Sequence, residues 1–200
     1  MQRICFFDLE TRNLFRDLDP TYQSLSFSQK KELQKKLTPQ LGLATACMLA
    51  DGSKPEFFTF DGGREKELIE ALDGFDLIVG HNILDFDYLV LSPSFSGDIV
   101  AHFRPRTCDT LEHLKTASNG SFIGLDDLAK QNLGLQKDLD PMTVPSLWLS
   151  GQKDLVRQYC KKDVELLKEI YFLGKKLGKL KYTIKSYGVI KGIGEVSIPW

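Results

Sequence analysis

Short apolar runs alternate with longer segments of mixed polarity along this chain, and the two patterns predict strands and helices respectively. The apolar runs predict strands at residues 4–9, 41–49, 57–60, 77–79 and 106–108. Apolar residues at helical spacing predict helices at 28–37, 64–72, 84–91, 109–117, 125–133 and 154–177. Because strands come first and then alternate with helices, we expect an α/β domain with a mixed central sheet of about five strands flanked by helices.

Local signals predict some element boundaries and the extent of the domain. Ser28 is a candidate N-cap for the helix that follows it, and Gly134 is a candidate C-cap. We find no internal repeat, low-complexity tract or linker, so we expect residues 1–200 to form a single domain. Residues 179–200 are strand-like and rich in glycine and lysine, which predicts a C-terminal β-hairpin.

The composition is that of a globular protein and leaves the function open. Hydrophobic residues make up 42% of the 200 residues and charged residues 26%, a balance that argues against disorder. The formal net charge is −1, so attraction to phosphate has to come from a local basic patch or from bound metal ions. Lysines make the last quarter the most basic region and a candidate for strand binding: Lys175, Lys176, Lys179, Lys181, Lys185 and Lys191.

The cysteine spacing and the first residues indicate the cellular compartment. None of the four cysteines forms a CxxC pair, which argues against a zinc ribbon and favours buried, reduced thiols. Asp8, Glu10 and Arg12 interrupt the first apolar run too early for a signal peptide. No apolar run approaches the length of a membrane span. We therefore expect a cytoplasmic protein that does not associate with membranes.

Two carboxylates lie at the end of the first predicted strand. Asp8 and Glu10 are two residues apart, so on a regular strand their side chains point to the same face. Carboxylates this close repel each other unless a cation lies between them, and hard oxygen ligands suit Mg²⁺ or Mn²⁺. A strand that runs into solvent would carry the same residues, so the pair alone is weak evidence for a metal site.

A run of polar residues follows the fourth predicted strand. His81 and Asn82 are expected at the carboxyl edge of the sheet, where the sites of α/β proteins usually lie. Asp85 and Asp87 flank Phe86, and on a helix they would point in different directions, so only one is expected to reach the site. An ordinary helix N-terminus, where an aspartate interacts well with the macrodipole, would explain one of the two.

A third candidate pair lies within the longest predicted helix. Tyr159 and Asp163 are four residues apart and therefore share one face of that helix. An acid on an otherwise apolar face is costly to bury without a partner or a metal ion. The alternative is a solvated Asp163 paired with a nearby lysine, which the neighbouring Tyr159 makes less attractive.

The three clusters, in this order, resemble the motifs of the DEDD superfamily of 3′→5′ exonucleases, which share a ribonuclease-H-like fold. Residues 8–11 resemble the first motif, an Asp-x-Glu at the end of the opening strand. Residues 82–87 are similar to the second motif, Asn-x-x-x-Phe-Asp, and Tyr159-x-x-x-Asp163 resembles the third motif in its tyrosine form. The match is closest to bacterial ribonuclease-H-like exonucleases that occur alone or attached to helicases. Segment 13–40 departs from it, because it is longer than in the shortest members.

The resemblance implies a site that binds two divalent cations. Two Mg²⁺ or Mn²⁺ ions would be held by four carboxylates: Asp8, Glu10, Asp87 and Asp163. Asp8 would be shared by both ions, and the second motif assigns the metal role to Asp87 rather than to Asp85. Tyr159 would orient or deprotonate the attacking water.

Four further residues near these motifs are candidate substrate contacts: Thr11, His81, Asn82 and Phe86. Phe86 can stack on a base, although core packing is the commoner fate of a phenylalanine. His81 can contact a phosphate, and a structural role is an equal alternative.

The implied activity is hydrolysis of phosphodiester bonds at single-stranded 3′ ends of DNA or RNA. A helicase or another factor that processes DNA or RNA is the candidate protein partner. Three alternatives stay open: a catalytically silent module that binds nucleic acid or protein, an endonuclease of the ribonuclease H type, and a polymerase proofreading subunit. A silent copy would be expected to lack a carboxylate or the tyrosine, and none of these residues is missing. The tyrosine form of the third motif favours an exonuclease over an endonuclease.

Overall fold

The computed structural model of this chain describes residues 2–52, 54–135, 139–186 and 189–200. The strands are β1 Ile4–Thr11, β2 Leu43–Ala50, β3 Glu56–Asp61, β4 Leu77–Gly80, β5 Thr107–Asp109, β6 Lys179–Ser186 and β7 Val189–Ser197. The α-helices are α1 Phe15–Leu18, α2 Phe27–Leu37, α3 Glu65–Asp73, α4 Asp87–Leu91, α5 Ile99–Phe103, α6 Thr110–Ala117, α7 Leu125–Leu133, α8 Val144–Leu149 and α9 Lys153–Leu177. Within these ranges, no helix combines the length and the apolar character that crossing a membrane requires.

The five strands predicted from the apolar runs form one mixed sheet, in the order β3-β2-β1-β4-β5. The first three strands pair antiparallel, whereas β4 pairs parallel to both β1 and β5. Helices flank this sheet on both faces. The predicted fold class is therefore confirmed: the architecture is α/β and consistent with a ribonuclease-H-like fold.

Alternation along β1 separates the two halves of the core. Phe7 and Leu9 point to the face that α3, α4 and α5 cover, whereas Phe6 points to the face that α6, α7 and α9 cover. Asp8 and Glu10 follow Phe6 at intervals of two residues. Their side chains therefore point to the same face of the sheet as Phe6, the face that α9 covers. Both acids are half-buried near the end of the central strand.

The helix α9 is the longest element and packs against β1 and β2. Its apolar positions repeat every three to four residues, and they bury one face from Val156 through Leu167 to Ile170. The helix ends at Gly178, whose φ of +69° is a left-handed conformation that glycine adopts at low cost. Tyr159 and Asp163 lie on the buried face of α9.

Several predicted boundaries are wrong, among them the start of β2, which is Leu43 instead of Leu41. The N-cap of α2 is Ser26 instead of Ser28, since the Ser26 backbone N–H donates to the Gln29 side chain at 3.0 Å. The helix predicted from residue 84 begins only at Asp87, because residues 81–86 form a turn that brings the chain back to β1. The strand predicted from residue 106 begins at Thr107, because the preceding Pro105 lies in a short 3₁₀ turn.

Segment 13–40 folds as α1, α2 and two 3₁₀ turns beside the end of β1. The Asn13 N–H donates to the Leu41 carbonyl at 3.2 Å, so the two ends of the segment meet at the sheet. The C-terminal residues form a two-stranded antiparallel sheet of β6 and β7. Thr183 fixes this hairpin to α7, since its backbone N–H donates to Asp127 at 2.7 Å. Residues 187 and 188 of the predicted hairpin lie outside the described ranges.

Candidate functional site

The carboxyl half of β1 positions the first two acids beyond the end of its parallel neighbour. The pairing of β1 with β4 stops at Phe6, because β4 ends two residues after Ile78. The strand β1 continues beyond the end of β4, and Asp8 and Glu10 lie in this part of β1, which β4 does not pair. This is the carboxyl edge of the sheet, where side chains from several elements can converge.

The helix α9 lies directly over these two acids. A carboxylate oxygen of Asp8, one of Glu10 and the Cys160 sulfur all lie within 4.8 Å of one another. The Cys160 thiol donates to the backbone carbonyl of Asp8 at 3.4 Å. Tyr159 and Asp163 flank Cys160 within one helical turn, and they are 7% and 5% exposed. The contact through Cys160 therefore brings the third predicted cluster to the first.

Asp87 reaches the same edge from the other side of β1. Its carboxylate accepts a hydrogen bond from the Leu9 backbone N–H at 3.1 Å, at a position that β4 no longer pairs. The side chain is only 4% exposed. Asp85, by contrast, points away, with a side chain 78% exposed and 3.7 Å from the Lys115 ammonium. The two aspartates of this turn therefore lie in opposite environments.

Burial makes the ionised form of Asp87 costly. Removal from water raises the pKa of this carboxyl to about 8, the nearby charge of Asp109 adds to the rise, and the hydrogen bond from Leu9 opposes it. A buried carboxyl of this kind requires either a proton or a cation beside it. At neutral pH this carboxyl therefore holds a proton, which a bound cation would displace.

Asp109 holds the turn that carries Asp87, a role for which we made no prediction. Its carboxylate accepts hydrogen bonds from the backbone N–H groups of Asn82 and Leu84, at 2.9 and 3.0 Å. It also caps α6 by accepting from Leu111 and Glu112. Asn82 adopts a left-handed φ of +69°, which asparagine tolerates better than most residues. An aspartate at the predicted start of α6 signals the cap of that helix, but not the hydrogen bonds to the turn.

The candidate substrate contacts lie in different places. Thr11 and Phe86 line a cavity that also contacts Glu10. The Nδ1 atom of His81 lies 2.9 Å from the Thr110 hydroxyl, which itself donates to the Gly80 carbonyl. His81 and Asn82 therefore take part in holding the turn after β4. Their roles toward a substrate stay predictions.

The donor set fits hard divalent cations. Asp8 and Glu10 offer carboxylate oxygens, the ligands that Mg²⁺ and Mn²⁺ prefer, whereas Asp87 and Asp163 lie outside the 4.8 Å group. Burial and the adjacent charges of Asp8 and Glu10 hold the pKa of the Cys160 thiol well above its ordinary value. The thiol is therefore protonated and an unsuitable ligand. The residues present fit a metal centre built from carboxylates.

Comparisons with known proteins support the fold. No protein-family model and no curated protein sequence matches this chain. Among solved structures, the chain is similar to the family B DNA polymerase from the hyperthermophilic archaeon Pyrobaculum calidifontis, with a TM-score of 0.53 and 15% identity. The match covers 88% of this chain and 24% of the polymerase chain, so this protein spans about a quarter of that length. At this identity the likeness is one of fold.

Proposed function

We propose that this chain is a metal-dependent 3′→5′ exonuclease that hydrolyses phosphodiester bonds at the ends of single-stranded DNA or RNA. The observation that carries the proposal is the pair of carboxylates at the end of β1, Asp8 and Glu10, whose oxygens lie within 4.8 Å of each other. Asp87 contacts the same strand through the Leu9 N–H, and Asp163 lies three residues from Cys160, whose sulfur contacts Asp8. Asp8 and Glu10 come from β1, Asp87 from the start of α4, and Asp163 from α9. The fold shared with a DNA polymerase is consistent with a function related to nucleic acid.

The metal ions would be held by these four carboxylates, with Asp8 in the shared position. The chemistry that a pair of bound divalent ions supplies is activation of water and stabilisation of the charge that develops on the leaving oxygen. The buried carboxyl of Asp87 is fixed by the Leu9 N–H, so it can hold a ligand position with little loss of side-chain entropy on binding.

Tyr159 would orient the attacking water in this mechanism. Its ring is buried against Ala44, Val156 and Trp148, so the direction of its hydroxyl is set by packing. Tyr159 is four residues before Asp163, on the same face of α9, and it precedes Cys160, whose sulfur contacts Asp8. In this role the hydroxyl oxygen accepts or donates one hydrogen bond to the attacking water and fixes its direction toward the phosphorus.

A panel of three oligonucleotides of one sequence tests the proposal. The purified chain is incubated with Mn²⁺ and a 5′-labelled linear strand, the same strand blocked at its 3′ end, or a circular form. We expect a ladder of shortening products from the linear strand and protection of the other two. Cleavage of the circle would indicate an endonuclease, and binding of all three without cleavage would indicate a silent module. Either result would overturn the proposal.

A further inference from the structure

A cavity of about 530 Å³ opens beside Glu10, between the end of β1 and segment 13–40. Its volume lies within the range of roughly 300–1,000 Å³ that is typical of small-ligand pockets. One wall is formed by Glu10, Thr11 and Phe86, and the other by residues of segment 13–40. The segment therefore encloses space directly next to the proposed metal ligands.

The wall that the segment contributes is aromatic and held in place. The rings of Phe15 and Tyr22 stack with centroids 5.3 Å apart and an interplanar angle of 26°. The Tyr22 hydroxyl accepts a hydrogen bond from the Gln34 amide, which ties this ring to α2. With Phe86, three aromatic side chains line the same cavity. Flat π-faces of this kind suit a nucleobase, which stacks on them independently of its identity.

The charge of the segment is also complementary to a nucleic-acid strand. Segment 13–40 carries five basic residues against three acidic residues, in a chain whose net charge is −1. Two of the basic residues, Arg16 and Lys30, line the cavity. The Lys30 ammonium lies 5.6 Å from the centroid of the Tyr22 ring, within the range of a cation–π contact. The cavity therefore combines an aromatic wall with cations, opposite the anionic edge that would bind metal ions.

We propose that this cavity receives an unpaired nucleotide of the substrate strand, whose base extends the Phe15–Tyr22 stack on Tyr22 and whose phosphate draws the Lys30 ammonium away from the ring. This inference rests on the proposed function, and it assigns substrate binding to the part of the chain that departs from the exonuclease resemblance. A nucleotide has to leave its stack to enter this side cavity, and the stacking on Tyr22 compensates for this cost. The residues of segment 13–40 would thus select unpaired ends.

Equilibrium binding to an oligonucleotide with a terminal 3′ 2-aminopurine tests the inference. The full chain is titrated in Ca²⁺ in place of Mn²⁺ to hold back cleavage, and the fluorescence of the modified base reports stacking. Tyr22→Ala should weaken binding by roughly 5- to 150-fold, the loss expected for one stacked base, and should abolish the fluorescence change. Tyr22→Phe keeps the ring and should retain both.

Lys30 has a matched control in its neighbour Lys31, which is solvent-exposed on the same helix. Lys30→Ala should weaken binding and lower the slope of log Kd against log salt by about 0.7, the value for one phosphate contact on a single strand. Lys31→Ala should leave that slope unchanged. An equal effect of the two substitutions would show that Lys30 contributes only general charge, which overturns its assigned role.

Unchanged affinity and fluorescence in both Tyr22→Ala and Lys30→Ala would overturn the inference. Melting temperature controls for folding, and Tyr22→Leu replaces Tyr22→Ala if the smaller side chain unfolds the segment. If the wild type cleaves and the two variants bind as tightly as the wild type, this inference is wrong and the proposed function stands. If the chain binds through Tyr22 and Lys30 but does not cleave in Mn²⁺, the proposed function is wrong and this inference stands.

Discussion

Asp87→Asn should have opposite effects on activity and on stability. Asparagine has the shape of the protonated aspartic acid, and its side-chain oxygen can still accept the hydrogen bond from Leu9. The substitution removes a carboxyl whose ionised form is disfavoured by burial and by the nearby charge of Asp109. We expect the variant to lose metal binding and hydrolysis, while its metal-free form becomes more stable than the wild type at neutral pH.

The magnitude follows from the raised pKa of Asp87. The folded protein holds this proton up to about pH 8, whereas an unfolded chain releases it near 3.8. The contribution of the protonated carboxyl to stability is therefore full below about pH 4 and is lost as the pH rises toward 8. At about pH 7 the loss amounts to roughly 4 kcal/mol as an upper value. The side-chain amide that Asp87→Asn introduces does not titrate, so the variant avoids this loss.

Urea unfolding in EDTA at about pH 5 and about pH 7.5 measures the effect. The stability gained by Asp87→Asn should be at most about 1.6 kcal/mol at the lower pH and up to about 5 kcal/mol at the higher pH. Asp85→Asn is the matched control, because its exposed side chain should leave stability and most activity unchanged. Adding Mn²⁺ should then stabilise the wild type and leave Asp87→Asn unchanged. A variant less stable than the wild type at both pH values would refute the reasoning.

Three further predictions concern the residues around the metal ligands. Tyr159→Phe keeps the buried ring, so it should leave the melting temperature unchanged and lower single-turnover hydrolysis by roughly 10²- to 10⁴-fold; a near wild-type rate would make Tyr159 a packing residue. Asp109→Ala removes the cap of α6, so urea unfolding should show a loss of at least about 1–2 kcal/mol, and metal titration should show weaker binding. Unaltered metal affinity would mean that the turn holds its shape without Asp109. EDTA should abolish hydrolysis and added Mg²⁺ or Mn²⁺ should restore it, so undiminished cleavage in EDTA would exclude the metal mechanism.

The central sheet could be predicted from the sequence because its strands are short and apolar. The strand β2 is buried along nearly its whole length, and such a run has few alternatives to a central strand. The short helices α5 and α8 were not predicted, since five or six residues carry too little periodicity. Their positions depend on packing against other elements.

The candidate site was predictable only in part, because some of its contacts join residues that are far apart in the sequence. Asp8, Glu10, Tyr159 and Asp163 are marked by spacing within a single element, which the sequence displays directly. The role of Asp109 depends on hydrogen bonds to Asn82, 27 residues away, and no local pattern shows such a contact. The cavity beside Glu10 likewise arises from the tertiary packing of segment 13–40.

The most direct test of the proposed metal-dependent exonuclease activity is a comparison of the wild type with Asp8→Asn. A 5′-labelled single-stranded oligonucleotide is incubated with each protein in excess and with saturating Mn²⁺, and the products are resolved over time. We predict stepwise shortening from the 3′ end by the wild type and no detectable shortening by the variant, because Asp8 would hold both ions. An oligonucleotide that stays intact with the wild type, or that both proteins shorten at the same rate, would contradict the account.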